Sequence, residues 1–202
     1  PEDVDHPGTC SDGKDNDLDG LIDVADPGCE FEVTTIRFAC GSRTVSSGLP
    51  GAVEAPAGSE TEVCFYIGNP EAQGPDEIQG FSMALSFCCD IAAEPAFDVS
   101  GTILEAVGAE YISVQADDDG GDGDGCELIV GVLVDALPPF DGAAIPALPD
   151  LQLMGCVPFR VRDDAANCGE CCPIQFTDRV NGTGKVPINN LVAVDNLSKR
   201  PS

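Results

Sequence analysis

The chain has no tryptophan, two tyrosines, two methionines and a single histidine. So few aromatics leave little from which to build the ring platforms that sugar-cleaving and sugar-binding sites depend on. The one histidine, His6, lies beside Pro7 in an acidic amino-terminal stretch, so a Ser-His-Asp arrangement has no suitable base. Cations are also scarce: nine Lys and Arg stand against 36 Asp and Glu, a formal net charge of −27. Neutralising phosphates needs clustered Lys and Arg, so nucleic acid is not an expected partner. An anionic membrane surface would repel the chain. No apolar run approaches the roughly 18 residues of a spanning helix, so no membrane insertion is expected. Gly120-Gly121 sits among aspartates that would repel phosphate, so no phosphate-cradling loop is present. No catalytic constellation emerges, and the chain is read as non-catalytic.

What the chain has in abundance is aspartate and cysteine. The segment Asp15-Asn-Asp-Leu-Asp-Gly-Leu-Ile-Asp-Val-Ala-Asp26 places Asp15, Asp17, Asp19, Asp23 and Asp26 at positions 1, 3, 5, 9 and 12 of a loop, with Gly20 at position 6. This is the spacing of an oxygen-ligand calcium loop. Alternate side chains turn inward, Gly20 allows the sharp turn, and Leu21 offers its backbone carbonyl. Five carboxylates crowded this closely repel one another unless a cation sits among them. Ca2+ is therefore the expected cofactor. Pro27-Gly28 forbids the long helix that follows an EF-hand loop. Cys10 and Cys29 bracket the loop and are expected to pair, giving a stapled knot over residues 1–30.

Eleven cysteines, at positions 10, 29, 40, 64, 88, 89, 126, 156, 168, 171 and 172, point to an oxidising compartment. An extracellular or cell-surface location is expected, and the start at Pro1 fits a mature secreted chain. The odd count leaves at least one thiol free or bonded to another chain. Cys168-Gly-Glu-Cys171-Cys172 contains a C-x-x-C, but zinc would lack further soft ligands and a thioredoxin-like site would lack its βαβ setting. Disulfides are the better reading. The set expected in disulfides is Cys10, Cys29, Cys40, Cys64, Cys89, Cys126, Cys168, Cys171 and Cys172, with connectivity open.

From Phe31 onward the apolar period becomes two. Strands are predicted over Phe31–Cys40, with a bulge near Thr35, and over Thr61–Ile67, Ile78–Cys89, Tyr111–Val114, Cys126–Val134, Leu151–Val161, Ile174–Phe176 and Val186–Leu197. Gly, Pro, Asp and Asn turns separate them, and no amphipathic helix longer than three turns appears. Eight or nine short strands over residues 31–202 predict an all-β fold, an antiparallel β-sandwich. Strand parity turns Cys89 to the core with Phe87, turns Cys88 outward, and gives the two neighbours different partners. The same rule leans Cys156 outward with Arg160. The run Asp117, Asp118, Asp119, Asp122, Asp124 reads as a solvated acidic hairpin loop, with a second calcium site left open. Asn181-Gly-Thr and Asn196-Leu-Ser match the N-glycan acceptor pattern.

The loop from Asp15 to Asp26 resembles the calcium loops of dockerin modules and thrombospondin type 3 repeats. Its frame from Cys10 to Cys29 resembles cysteine-bracketed calcium motifs of bacterial surface proteins. The ligands the resemblance implies are Asp15, Asp17, Asp19, Leu21 by its carbonyl, Asp23 and Asp26. One loop without helices is not a whole dockerin. The body is similar to cohesin-like bacterial sandwich modules through Glu60–Ile67, Ile78–Phe87, Gly155–Val161 and Asn189–Val194. The combined expectation is a calcium- and disulfide-stabilised extracellular structural or adhesive protein. It would self-associate into a homopolymer, such as a surface filament or matrix, or bind another surface protein. Phe31–Cys40 and Val186–Leu197 are the expected edge or exchanged strands. The alternative is a carbohydrate- or protein-binding module of a larger surface assembly.

Overall fold

A computed structural model describes residues 34–43, 53–69, 77–118, 125–146, 148–163, 172–184, 186–194 and 197–201. The strands are β1 (Arg37–Gly41), β2 (Glu60–Gly68), β3 (Glu77–Phe87), β4 (Ile91–Ala93), β5 (Tyr111–Asp117), β6 (Cys126–Leu133), β7 (Ile145–Pro146), β8 (Gln152–Val161), β9 (Gln175–Phe176), β10 (Leu191–Val194) and β11 (Leu197–Lys199). One short helix, α1 (Ile103–Val107), precedes β5. The architecture is an all-β antiparallel sandwich. One sheet has the order β1-β2-β8-β4, the other β11-β10-β3-β6-β5, and β7 and β9 also pair with β3.

Alternation sets which side of each strand is buried. Phe81, Met83, Leu85 and Phe87 of β3 and Leu128, Val130 and Val132 of β6 face Val63, Phe65 and Ile67 of β2 and Val157 and Phe159 of β8. Aromatic edges join the layers. Phe38 of β1 lies 5.8 Å from Phe81, and Phe87 lies 5.4 Å from Phe159, both edge-to-face. The phenylalanines are thus mostly core.

The structure departs from the sequence expectations at several places. The strand expected to reach Cys89 ends at Phe87, and a turn carries Cys89 to the surface rather than into the core. The segment Val186–Leu197 contributes not one strand but β10 and the start of β11. Strands β4 and β7, of three and two residues, were too short for a periodicity to register. Helix α1 is set by its ends rather than by a stripe. The Thr102 hydroxyl accepts from Glu105 N, Glu105 Oε2 accepts from Gly101 N at 2.6 Å, and Gly108 closes the helix at φ 71°.

Candidate functional site

The outer face of the larger sheet is built of cross-strand rows. The first runs Tyr111, Leu133, Gly80, Ala193, Ser198 across β5, β6, β3, β10 and β11. The second runs Ser113, Gly131, Ser82, Leu191. Small residues make this half nearly flat. Gly80 is required where it stands, because a Cβ there would meet the Val132 carbonyl oxygen at 2.5 Å and Leu133 Cδ2 at 2.9 Å. Leu133 therefore lies over bare backbone.

The segment after β6 forms one wall of this shelf. Glu110 Oε2 accepts from Ala136 N at 2.8 Å and Leu137 N at 2.6 Å, and Asp135 Oδ2 accepts from Gly142 N at 2.7 Å. The loop, which includes the cis Pro138–Pro139 bond, is held by Glu110 from the start of β5 and by its own Asp135, and leaves Leu137 and Phe140 exposed. Leu137 is 59% and Phe140 70% exposed, alongside Leu133 at 49% and Tyr111 at 52%. A groove of about 410 Å³ runs beside them, lined by Glu77, Gln79, Leu133, Asp135, Ala143 and Ala193. The result is an apolar shelf with an acidic rim.

The other half of the same face is covered. Thr177 N donates to the Ala84 carbonyl at 2.9 Å, and Gly182 N donates to Glu127 Oε2 at 2.6 Å. Val180, bridged to Ile188, is buried against Ala84 and Ile129. Asn190 accepts from Ala84 N at 2.9 Å and returns a bond to Ala84 O at 3.1 Å. The segments 177–184 and 186–190 thus divide the face into a closed and an open half.

On the smaller sheet's outer face Arg43 forms an ion-pair clasp. It donates to Asp98 Oδ2 at 2.6 Å and to the Ser100 carbonyl at 3.1 Å, and its Nε lies 3.4 Å from Glu62. Hydrogen bonds from Ser100 and then Arg43 hold the Asp98 carboxyl down at about 2, and the bond to Asp98 raises Arg43. Burial raises Tyr66, whose hydroxyl donates to the Ser42 carbonyl. Both carboxylates of the clasp are engaged by Arg43, which fastens Asp98 and Glu62 together across the sheet face. Glu62, Cys64 and Cys156 converge as well, but both sulfurs are consumed in a disulfide, so they offer no thiolate to a metal.

Three disulfides lie among the described residues: Cys64–Cys156, Cys88–Cys172 and Cys89–Cys126. Cys88 and Cys156 were not in the expected set. Cys156 does leave the core side of β8, but it is buried with Cys64 and Tyr66 in a satellite cluster. Cys40, expected in a disulfide, is a free thiol. The residue opposite it is Phe65, and the nearby Cys64 is taken by Cys156. Burial pushes the Cys40 thiol up. The calcium loop with Asp15, Asp17, Asp19, Leu21, Asp23 and Asp26 lies outside the described residues, as do Cys10, Cys29, Cys168, Cys171, Asn196, Asp119, Asp122, Asp124 and the boundary at residue 30. Asn181 is half-buried, its carbonyl accepting from Gly184 N at 2.9 Å. Sequence reading missed the shelf: its members are scattered over four strands, and only the exposure of Leu137 and Phe140 beside Pro138-Pro139 was signalled locally.

No family model and no curated protein matches the chain. Solved structures do match its fold. One is the sixth cohesin of scaffoldin B from Acetivibrio cellulolyticus, in complex with a mutant Cel5 dockerin. It is 12% identical, with a TM-score of 0.51 over 83% of this chain and 92% of that one. A second is the Coh-OlpA–Doc918 complex, a type I cohesin–dockerin complex from Clostridium thermocellum. It is 15% identical, with a TM-score of 0.50 over 84% of this chain and 94% of that one. The fold is cohesin-like.

Proposed function

We propose that the chain is a non-catalytic, extracellular protein-binding module of a surface assembly, and that it docks its partner on the open half of the larger sheet's outer face. The observation that carries this is the exposure of Tyr111 and Leu133, paired across β5 and β6, beside an acidic-rimmed groove, with Leu137 and Phe140 exposed in the loop that follows β6. Exposed apolar groups gathered in one place mark interaction surfaces. Glu77 and Asp135 ask for Lys or Arg on the partner, around an apolar centre. Similarity of fold to cohesins captured in complex with dockerins supports a protein rather than a glycan as ligand. The disulfides fit an oxidising, extracellular setting. Calcium held by Asp15, Asp17, Asp19, Leu21, Asp23 and Asp26 belongs to this proposal as a stabilising ion.

The test compares the full chain with Leu133→Glu and Phe140→Glu variants as bait against the extracellular proteins of its source, with quantitative mass spectrometry and then a titration of the purified pair. A protein retained saturably by the parent and at least tenfold more weakly by both variants is expected. Equal retention by parent and variants would remove the shelf from the account. Saturable polysaccharide binding lost in Tyr111→Ala would move the reading to carbohydrate.

A further inference from the structure

An open sheet leaves strand edges that invite pairing, and natural proteins guard them with short strands, charges, prolines or bulges. The edge strands of the two sheets are β1, β4, β5 and β11. β4 and β11 have three residues each, and β1 opens on Arg37. β5 is the longest of the four at seven residues, and its register to β6 runs unbroken from Tyr111 to Asp117. Its middle, Ile112-Ser-Val-Gln-Ala116, has no charge, proline or glycine. None of the usual guards stands on it.

Two hydrogen bonds fix which backbone groups of β5 face outward. Ala84 N donates to Asn190 on the far side of β3 from β6, and Val134 N donates to the Gln79 carbonyl at 2.9 Å. Met83 and Leu85 therefore turn their backbone groups to Val130 and Leu128, and Gly131 and Ile129 turn theirs to Ser113 and Gln115. The backbone groups of Ile112, Val114 and Ala116 then point away from β6, where no strand among the described residues pairs with them. Their side chains are half-buried against the core.

This edge is complementary to itself. A two-fold axis beside Val114 pairs Ile112 with Ala116 of the second copy and Val114 with Val114 of the second copy, each pair exchanging both its bonds. On the core side the large Ile112 then meets the small Ala116. On the outer face Ser113 stands opposite Gln115, and Tyr111 opposite Asp117. The Asp117 residues of the two copies end about 20 Å apart along the strands. That exceeds the screening length of roughly 10 Å at about 0.1 M salt. Parallel pairing would instead set Asp117 beside Asp117, and like charges opposite one another destabilise a sheet.

We infer that two copies of this chain join by antiparallel pairing of β5 with β5, so that the larger sheet continues across the dimer. An isologous contact consumes the edge on both copies, so assembly closes at two. Both outer faces lie on one side of the joined sheet, so each dimer presents two docking shelves. The inference goes beyond the docking shelf and stands without it.

Sedimentation equilibrium of the full chain at about 0.15 M salt, where distant charges are screened, tests this. With rising concentration the mass should pass from the 20.8 kDa of one chain to twice that and stop. Val114→Pro removes an outward N–H and no bond to β6, which an edge strand tolerates, so it should keep the parent's circular dichroism and sediment as a monomer. Ser113→Lys/Gln115→Lys and Ser113→Glu/Gln115→Glu each set like charges opposite one another across the two-fold and should also be monomers. Mixing these two should restore the dimer, because Lys then faces Glu at both positions. Recovery on mixing also shows that both are folded. A parent that stays monomeric at every concentration, growth beyond a dimer, a folded Val114→Pro that dimerises like the parent, or no recovery on mixing would each overturn the inference. None of these outcomes bears on partner capture by Leu133 and Phe140.

Discussion

Arg43 reaches from the end of β1 to Asp98, Glu62 and the Ser100 carbonyl, and so ties a sheet edge to a turn 55 residues away. The Asp98 carboxyl is held at about 2 against an ordinary 3.8. A carboxyl depressed on folding stabilises above its unfolded value, and that stability is lost as pH falls through the folded one. The pair is substantially exposed, so solvent screening limits it to about 1 kcal/mol or less. Urea unfolding of Asp98→Asn should show this deficit at pH 7, with the deficit shrinking as pH falls through about 2. A constant deficit would assign the effect to packing instead. Cys40 yields a second expectation at this scale. Its thiol is half-buried, raised and without a sulfur partner, so Ellman's reagent should titrate it more slowly in the folded protein than in urea. Equal rates would contradict its packing against the core. Its free state was illegible in the sequence, because parity gives the face of a cysteine but not what stands across from it.

Among the elements, β3 was the most legible and shows where legibility stops. Its run Phe81, Met83, Leu85, Phe87 gave the buried face directly. The cover over its outer face was hidden, because 177–184 and 186–190 have no periodicity and are held by polar bonds between distant residues. Asn190 explains why that cover is fixed. Beside β3, β10 pairs with Ser82 and β9 with Leu85, and the Asn190 side chain bonds Ala84 in the gap between them. Asn190→Leu orphans the Ala84 N–H and should cost about 1–3 kcal/mol. Hydrogen exchange at Ala84 should accelerate, and unchanged protection would show that another donor-acceptor pair closes the gap. The Cys89–Cys126 bridge fastens the turn after β3 to the start of β6 over a separation of 37 residues. The chain-entropy account gives it about 4 kcal/mol. Replacing both cysteines by Ala should lower the urea midpoint accordingly, and a shift under a quarter of that size would locate the stabilisation elsewhere. The shelf itself was unreadable, since Tyr111, Leu133 and Gly80 become neighbours only through register.

At the scale of the whole molecule the central question is how a chain with 36 acidic residues stays compact. Sheet packing, three described disulfides and the Arg43 clasp act on the sandwich, but none addresses the carboxylates from Asp15 to Asp26. The spacing of those residues is that of a calcium loop, and the proposed function gives them a divalent ion. On that proposal an ion would relieve the self-repulsion among them, and metal binding should be linked to folding of the amino-terminal segment. Calorimetric titration of the chelated protein is expected to show saturable calcium binding, and Asp17→Asn/Asp19→Asn should abolish or sharply weaken it. A protein that binds calcium only when folded gains about 2.7 kcal/mol at a free concentration one hundred times Kd. If the segment is joined energetically to the sandwich, the main melting transition should rise by several degrees with calcium in the parent and stay put in the double variant. Calcium that binds without moving that transition would make residues 1–30 a separately folding unit. Absence of any calcium heat in the parent would remove the ion from the account, and the acidic segment would then have to be held by its cysteines alone.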